Sequence, residues 1–292
     1  PEGITPSNPQ QDLQGSDAIA PQGIIARKSA WLRHHTQVNT NVYVLGNCSG
    51  EGCLDPAEAP TNPNTINNAN SELTIGVSVT VPAGRVLKAD KIRLKNRATV
   101  LGTTEANTYA QQKSAKITNK VSTLGALPYL PFFLSGTPGT RNINDATATL
   151  APAQYRNLTV RKDKTVTLTG GFYQFHDIDL KRKSSLICQT QCFVTVKVDV
   201  ISEKEITLSA TSGNPNDFVV YVEGGSAAAE PMAAAAKAVQ LGGMSHVTAN
   251  IYAVNGRLQF GAATIAQGAF IGNHVRIEPN SIVTAGPVPV GT

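Results

Sequence analysis

An internal repeat of about 18 residues is the feature of this 292-residue chain that most restricts its fold. The segment TATLAPAQY, which ends at Tyr155, matches the segment TVTLTGGFY, which ends at Tyr173. A third copy follows weakly, with Leu186 continuing the series of Leu150 and Leu168. Since a unit of this size is too short for a pair of helices, the repeat predicts stacked β-strands. With some drift, the period continues at Leu241, Leu258 and Ile277, and at Ile251 and Phe270.

Apolar residues alternate with other residues inside each unit, as in Val194, Val196, Val198 and Val200. An alternation of period two places one side of a strand in a core and the other side toward solvent. Short strands that recur once per unit predict an all-β parallel solenoid, whose coils, or rungs, stack about 4.8 Å apart. We predict about seven rungs between Leu150 and Gly286, with about 18 residues per rung. A β-sandwich, with turns at intervals of about 8–12 residues, is the competing fold, and the repeat argues against it.

The composition divides the chain into four parts. Residues 1–25 are rich in Pro, Gln, Gly and Ser and predict an extended arm. Residues 26–102 contain further alternating segments and a cysteine loop, which predict earlier rungs. Residues 103–146 predict an irregular and helical insertion, and residues 147–292 predict the main parallel solenoid.

Three segments predict interruptions of the strands. Ile117, Val121 and Leu124 have helical spacing, which predicts a short helix over 105–124. The segment 127–139 contains three prolines and predicts an irregular crossing, in which Leu130, Phe132 and Phe133 cover apolar surface. The Ala-rich segment 227–239 places helix formers after a proline and predicts a second helical insertion.

The ends of a solenoid expose unpaired strand edges and must be capped or joined to another end. The last predicted rung runs into SIVTAGPVPVGT without a polar cap. We therefore expect a homopolymer in which residues 1–23 reach a neighbouring subunit and residues 283–292 form part of the interface. No apolar run approaches the roughly 18 residues that would cross a bilayer, and the chain starts at Pro1 without an export signal. The expectation is a protein without a membrane span, or one whose signal has been removed.

The four cysteines fall in two close pairs, Cys48 with Cys53 and Cys188 with Cys192. Two short disulfides predict an oxidising compartment, and thus a secreted or cell-surface protein. A zinc site with four thiolates is an alternative, but the two pairs enclose four and three residues, whereas the usual zinc knuckle has about two. Free thiols are the third possibility.

A net charge of +5 arises from 25 Lys and Arg residues against 20 Asp and Glu residues. The two halves of the chain share this mild excess almost evenly, which is not typical of a dedicated nucleic-acid-binding domain. No aromatic residues are interleaved with basic ones for base stacking. We therefore expect no sequence-specific nucleic-acid partner.

Two groups of cations are candidate polyanion-binding residues: Lys91, Arg93, Lys95 and Arg97, and Arg161, Lys162, Lys164, Lys181, Arg182 and Lys183. The first group alternates with apolar residues and so lies on one strand face. The second group contains two clusters about one rung apart, which would stack into a ladder. Regular rows of cations suit an acidic polysaccharide or another extracellular polyanion. The alternative is a solvated face whose lysines discourage edge pairing.

Asp177 and Asp179 are the only candidates for catalysis, and they are weak ones. If His176 and Ile178 face inward, the two carboxylates project outward together about 7 Å apart. Paired carboxylates near this separation hydrolyse glycosides, which would make the protein a polysaccharide lyase or hydrolase. The alternative is a solvated strand face that is neutralised by the neighbouring Lys181, Arg182 and Lys183, and no enzymatic activity is expected. His176 is then a hydrogen-bonded interior histidine.

Other signatures of ligand binding do not occur in the sequence. The glycine-rich segments lack the context of a P-loop or a Rossmann fold, and calcium-binding nonapeptides are missing. No cofactor and no metal are therefore expected. Pairs of threonines with TxT spacing are not repeated in every predicted rung, so an ice-binding plane is not expected either.

Several segments together resemble a group of secreted bacterial β-helix proteins: KADKIRLKNRATVLG, ALPYLPFF, TLAPAQYRNLTV, TVTLTGGFYQFHDIDL, FVVYVEGG and NIYAVNGRLQFGAATIAQGAFIGNHVRI. Similar solenoids occur in pilus-associated surface proteins and, more distantly, in the polymer-forming bactofilins. The resemblance covers roughly residues 75–286 and rests on structural glycines, tyrosines and alternating aliphatic residues. It implies a right-handed parallel β-helix outside the cell, and it implies no reaction.

The sequence thus predicts an extracellular structural protein, a subunit of a self-assembling fibre or surface layer that forms by end-to-end stacking and arm exchange. A monomeric adhesin that binds acidic polysaccharide is the first alternative. A polysaccharide-cleaving enzyme is the second.

Overall fold

A computed structural model of the chain describes residues 23–46, 71–124, 136–144, 147–224 and 237–286. These residues form 24 β-strands and a 3-10 helix over Pro215–Asp217. The first ten strands are β1 (Ile24–Leu32), β2 (Gln37–Asn39), β3 (Val42–Val44), β4 (Glu72–Ile75), β5 (Thr80–Val81), β6 (Val86–Lys88), β7 (Lys91–Leu94), β8 (Thr99–Glu105), β9 (Thr108–Gln111) and β10 (Lys116–Val121). The others are β11 (Ala148–Leu150), β12 (Asn157–Val160), β13 (Thr165–Leu168), β14 (Gly171–Leu180), β15 (Ser185–Cys188), β16 (Cys192–Ser202), β17 (Thr207–Ala210), β18 (Phe218–Val222), β19 (Lys237–Leu241), β20 (His246–Thr248), β21 (Asn250–Phe260), β22 (Ile265–Gln267), β23 (Phe270–Ile277) and β24 (Ile282–Thr284).

The strands stack in parallel along three faces, so the predicted all-β architecture with a large parallel sheet is confirmed. Each coil of the chain passes through the first, the second and the third face in that order. In one coil, residues 24–26 lie on the first face, residues 29–32 on the second face and β2 on the third face. In spatial order the first face consists of β14, β16, β18, β21, β23, β1, β3, β6, β8 and β10. The second face consists of β12, β14, β16, β19, β21, β23, β1, β4, β7 and β9. The third face consists of β11, β13, β15, β17, β20, β22, β24, β2, β5, β8 and β10.

The two halves of the chain stack in the reverse of their sequence order. β23 pairs with β21 on one side and with β1 on the other, and β24 likewise lies between β22 and β2. The strands between residues 24 and 121 therefore form rungs, as expected, but these rungs follow the C-terminal rung instead of preceding Leu150. Val283, expected at an interface between subunits, is fully buried between Ala266 and Val38. The last rung in sequence is not an end of the solenoid.

The junction between β1 and β23, called the seam below, is closed inside and outside. On the inside, Phe270 packs edge to face against Phe260, with ring centroids 4.8 Å apart. On the outside, the Trp31 ring lies 5.1 Å from the Arg276 guanidinium carbon, and Arg33 forms a 3.0 Å ion pair with Glu278. The two outer contacts join residues 245 positions apart in the sequence, and on the inside Phe270 lies in register with Ile24 of β1.

The offset of about 18 residues between stacked positions holds for one pair of rungs and changes in later rungs. Leu150 pairs with Leu168 at that offset, and Ile251 pairs with Phe270 at 19, both as predicted. The following rung does not keep the period, because Leu168 pairs with Cys188 instead of Leu186. Tyr155 stacks on Phe175, with centroids 5.4 Å apart, instead of aligning with Tyr173. Between Leu150 and Gly286 the third face contains seven strands.

Every described turn from the second to the third face, except the turn between β9 and β10, contains a residue in the left-handed backbone region. Nine described residues occupy this position with φ between 55° and 65°: His35, Ser78, Arg97, Asp163, Lys183, Glu205, Met244, Ala263 and Asn280. None is a glycine, so the position gives no glycine signal in the sequence. The next residue turns inward, and Ser281 there donates from Oγ to the Glu278 carbonyl oxygen at 2.9 Å. Thr264 and Ser245 repeat this bond on the neighbouring rungs.

Replacing Ala263 with glycine should therefore stabilise the fold by about 0.5–1 kcal/mol. Relief of a left-handed alanine contributes about 1–2 kcal/mol, and the greater freedom of glycine in the unfolded chain removes about 0.5–1 kcal/mol. The control is Ala266→Gly in β22, where the alanine is fully buried in an ordinary strand and the change should destabilise. Urea denaturation measures both. Equal losses of stability in the two variants would contradict the assignment of strain to this corner.

The first face carries a second apolar cluster on its outer side. Its members are seven buried side chains: Ile25, Leu45, Phe193, Val219, Tyr221, Tyr252 and Ile271. Tyr221 and Tyr252 stack with centroids 4.9 Å apart, and burial raises the pKa of Tyr252 to about 12. Because these outward side chains are buried, the first face is not open to solvent here. Leu130, Phe132 and Phe133, predicted to cover apolar surface, lie outside the described residues.

The helix predicted over 105–124 is wrong, because this stretch forms β9 and β10. Ile117 packs against the core, but Val121 is 39% exposed. These strands lie at the end of the stack, where few side chains have a core to face, and the expected alternation is lost. The second predicted helix lies at 227–239. Its first part is outside the described residues, and its last three residues belong to β19.

Several other expectations concern residues that are only partly described. Of the predicted arm, residues 1–22 lie outside the described part, whereas Ile24 and Ile25 belong to β1. Of the predicted crossing, Gly136 to Gly139 are described and have no regular secondary structure. Cys188 and Cys192 form the predicted disulfide, with an S–S distance of 2.01 Å. Cys48 and Cys53 lie outside the described residues. Among the described residues, no helix has the length and apolar character needed to cross a bilayer.

Candidate functional site

The described solenoid is far more basic than the composition of the whole chain suggests. All 25 Lys and Arg residues lie in its described parts, together with only 12 of the 20 Asp and Glu residues. Its formal net charge is thus +13, against +5 for the full sequence. The described carboxylates are Glu72, Asp90, Glu105, Asp163, Asp177, Asp179, Asp199, Glu203, Glu205, Asp217, Glu223 and Glu278.

The excess charge is concentrated at the end of the stack formed by β6 to β10. Residues 85–121, called the basic end below, contain nine cations and only two carboxylates, Asp90 and Glu105. The nine cations are Arg85, Lys88, Lys91, Arg93, Lys95, Arg97, Lys113, Lys116 and Lys120. The first predicted group, Lys91 to Arg97, is the central part of this set.

Strand β7 presents its cations on the outer side of the second face, as the alternation predicted. Glu72 on the neighbouring strand β4 lies 3.1 Å from Arg93 Nε and 4.0 Å from Lys91 Nζ. Partial burial alone would raise the pKa of Glu72, but hydrogen bonds from Arg93 and Thr74 and the two positive charges hold that pKa below its ordinary value. This carboxylate therefore stays ionised and fixes the two cations in a row.

Most cations at the basic end are not neutralised locally. Lys88 has an ion pair with Glu105 at 2.9 Å. Lys95, Arg97, Lys113 and Lys116 form no ion pair with any residue in the described parts of the chain. The end thus presents several uncompensated positive charges on adjacent strands.

The second predicted group lies on adjacent rungs, as expected, but acidic neighbours compensate four of its six cations. Stacking is seen where Ser185 N donates to the Lys164 carbonyl oxygen at 2.8 Å. Glu205 on the next rung lies 2.9 Å from Arg182 and 3.7 Å from Lys183. The other close pairs of this group are Lys181 with Asp179 at 2.6 Å and Lys162 with Asp163 at 3.8 Å.

The two predicted cation groups do not form one site. β14 and β7 are seven strand spacings apart on the second face, which corresponds to about 34 Å. The corners between them carry only Lys204 and Arg33 as cations. In the described parts of the chain, four of the six cations of the group near one end have an acidic partner, against two of the four cations of the group at the other end.

The apolar interior is closed at the basic end by Tyr109. Its hydroxyl oxygen lies 2.9 Å from the Thr104 carbonyl oxygen and 2.8 Å from the Val121 carbonyl oxygen. Lys120 Nζ lies 4.3 Å from the centre of the ring. Desolvation by burial raises the pKa of the Tyr109 hydroxyl, so this closure keeps its proton.

A second tyrosine closes the interior at the opposite end. Tyr155 donates from its hydroxyl to the Ala151 carbonyl oxygen at 2.8 Å, and the Arg141 guanidinium carbon lies 6.0 Å from the centre of its ring. Ile143 bridges to Leu158 beside it and is buried. At both ends of the solenoid, therefore, a tyrosine covers the apolar interior and a cation lies near its ring. The sequence did not predict this role for either tyrosine.

Asp177 and Asp179 project from β14 on the outer side of the second face, as predicted, but His176 does not face inward. The His176 side chain is 44% exposed, and its Nδ1 lies 2.7 Å from Asp177 Oδ2. The register shifts between Phe175 and Asp177, where the chain turns from the first face to the second, and this shift breaks the alternation. Each of the two carboxylates already has a close basic partner.

Asp199 is a neighbour of these carboxylates that the sequence did not indicate. It pairs in register with Asp177, although the two residues are 22 positions apart. Burial, followed by the charges of Asp177 and Asp179, raises the pKa of Asp199. Among the described residues, no group of three or more His, Cys, Asp or Glu side chains has a geometry that could hold a metal ion.

Comparisons with known proteins add no name to this geometry. No family model matches the chain, and no match is found among the curated proteins or the solved structures. The resemblance to secreted bacterial β-helix proteins, including the right-handed coil, stays a prediction.

Proposed function

We propose that the protein is an extracellular β-solenoid that binds an acidic polysaccharide through its basic end. The observation that carries this proposal is the presence of nine cations and two carboxylates in residues 85–121, five of the cations on strands β6 to β10 and four in the segments that adjoin them. Alternate residues along a strand are about 7 Å apart and neighbouring strands about 4.8 Å apart, so the cations of this end lie close together on adjacent rungs. A linear polyanion meets many such charges at once, and its weak contacts add.

The proposed location outside the cell is supported by the Cys188–Cys192 disulfide. Disulfides persist in oxidising compartments and are rare in the cytosol. The polysaccharide is also the expected kind of ligand there, since extracellular acidic glycans are long, regular and multiply charged.

Assembly into a fibre by end-to-end stacking is the less favoured function. The described residues between Gly139 and Lys164 at the other end contain five cations and one carboxylate, so head-to-tail stacking brings two positive ends together. Lysines on the terminal strand β10 are the usual protection of a sheet edge against such pairing. Arm exchange concerns residues outside the described part and remains a prediction.

Polysaccharide cleavage at Asp177 and Asp179 also remains a prediction, and we do not propose it. Their close contacts with His176 and Lys181 support the alternative, a strand face that neutralises its own charges.

Binding to polygalacturonate, measured by calorimetry with dextran as the neutral reference, tests the proposal. A variant with Lys91, Arg93, Lys95 and Arg97 all changed to glutamine should bind about tenfold more weakly, because four contacts of about 0.3–0.5 kcal/mol each are lost. The matched control changes Lys162, Lys181, Arg182 and Lys183 to glutamine, which removes the same charge from cations that each have an acidic partner. This control should bind within threefold of the native chain. Equal weakening by both variants, or equal binding of dextran, would contradict the proposal.

A further inference from the structure

The outer side of the third face carries two rows of side chains that run along the solenoid. In the order of the strands, the first row contains Thr165, Ser185, Thr207, His246, Ile265, Ile282, Gln37, Thr80, Thr99 and Lys116. The second row contains Thr149, Thr167, Ile187, Ser209, Thr248, Gln267, Thr284 and Asn39. Each row advances by one residue per strand, because the parallel register is unbroken on this face.

The two rows differ from the rest of the surface in their chemistry. Ten of the 18 side chains are Thr or Ser, and none is a carboxylate, an arginine, a Phe, a Tyr or a Trp. The single lysine, Lys116, stands on the terminal strand. The second face of the same solenoid carries charged residues such as Asp177, Glu72 and Arg93. A protein part with a net charge of +13 thus keeps one face almost free of charge.

The hydroxyl groups in the rows are available for contacts outside the chain. Only Thr284 donates from Oγ1 to another group in the described parts, the Ala266 carbonyl oxygen at 3.3 Å. The side chains of the other row threonines, such as Thr167 and Thr248, have no hydrogen-bond partner there. Methyl groups accompany the hydroxyls, and Ile265 on the same face is 47% exposed. The face therefore presents mixed hydroxyl and methyl groups to solvent.

The backbone fixes this array in two directions. Neighbouring residues within a row are about 4.8 Å apart, and the two rows are about 7 Å apart along the strands. Because each strand except the terminal ones is held on both sides, the array is rigid. A small solute would occupy only a few positions of such an extended surface, whereas a partner with its own lattice would meet many positions at once.

We propose that the third face adsorbs to the surface of ice. Ice is a periodic, uncharged lattice of hydrogen-bonding groups, and an uncharged array of hydroxyl and methyl groups complements it without desolvating charges. Crystalline polysaccharide, the other periodic and uncharged surface, is recognised largely by aromatic rings that stack on sugar rings, and the two rows contain no Phe, Tyr or Trp. This function is independent of polyanion binding, which uses the cations of the basic end.

The sequence did not predict this face because neighbouring residues of each row lie on different strands and are not close in the sequence. The TxT pairs at Thr149 and Thr167 are followed by serine, isoleucine, glutamine and asparagine at equivalent positions, and the two halves of the chain meet at the seam in reversed order. The observation that TxT pairs are not repeated in every rung holds, and the register shows instead a mixed plane with hydroxyl groups at ten of the 18 positions.

The test uses the full chain and a Thr248→Arg variant, in which a long cation stands in the middle of the second row. The control, Thr159→Arg, makes the same change on the outer side of the second face. Melting curves of both variants establish that they fold. The measurements are thermal hysteresis and the fraction of protein that partitions into a slowly grown ice crystal.

The native chain and Thr159→Arg should show hysteresis and partition into ice equally, whereas Thr248→Arg should lose at least tenfold in hysteresis. The variant with four glutamines at the basic end should behave like the native chain, which separates this function from polyanion binding. Absence of hysteresis in the native chain would overturn the proposal. So would equal losses in the two arginine variants, or a chain that ignores ice but pellets with crystalline cellulose or chitin in a Thr248-dependent way.

Discussion

Replacement of Phe270 by alanine is expected to lower the free energy of unfolding by about 3–5 kcal/mol. Phe270 is fully buried in β23, and its register partners are Ile251 on one side and Ile24 on the other. Its ring packs edge to face on Phe260 at an interplanar angle of 79°. Truncation therefore removes apolar contacts from both halves of the chain at the seam, and it leaves a cavity that the fixed backbone ladder cannot close.

Urea denaturation followed by circular dichroism measures this loss. The control is Val198→Ala in β16, a valine that is 36% exposed on the outer side, and its effect should stay within about 0.5 kcal/mol. A loss below about 1 kcal/mol for Phe270→Ala would show that β23 does not pack against a second layer of strands. The junction between β1 and β23 would then lack apolar packing.

The strand architecture could be predicted from local pattern because it depends on alternation along each strand. Val194 and Val196 face the core, as their spacing indicates. The repeat offset held at Leu150 and Leu168, where the two rungs have turns of equal length. It failed at the next rung because the chain there takes two more residues to return to the same position, and sequence similarity alone does not reveal which residues face each other.

The order of the two halves could not be predicted. β1 and β23 lie at opposite ends of the sequence, and parallel pairing between them leaves no local signal such as a tight turn. The corner residues were hidden for a different reason. A left-handed position usually indicates glycine or asparagine, but here Lys183, Glu205 and Met244 occupy it, held by the hydrogen bonds of the neighbouring rungs.

The candidate site was predicted in part. Lys91 and Arg93 lie on one strand face as their alternation indicated, whereas Lys95 and Arg97 lie in the turn that follows β7. The concentration of charge at one end was masked because eight of the 20 carboxylates lie outside the described solenoid. Asp199 was missed because its proximity to Asp177 arises from stacking and not from sequence spacing. The types of the side chains thus predicted which residues are candidates, whereas the stacking of the rungs determined which of these residues lie close together.

A permuted chain tests most directly whether the two halves form one solenoid in reversed order. On the previous rung, Gly268 and Ala269 connect Gln267 to Phe270. Thr284 pairs with Gln267, and Ile24 pairs with Phe270, so Ala285 and Gly286 have the right length to connect Thr284 to Ile24. The permuted chain therefore runs over residues 125–286 and continues directly with residues 24–124.

The permuted chain should melt cooperatively within about 5 °C of the native chain, because it keeps every strand pair and changes only the connection. Fragments 1–124 and 125–292, expressed separately, should show no cooperative transition, since each exposes one apolar side of the seam. Calorimetry of the three proteins is the measurement. A permuted chain that is unfolded, or two fragments that each melt like the native chain and do not associate, would contradict the stacking of β1 on β23.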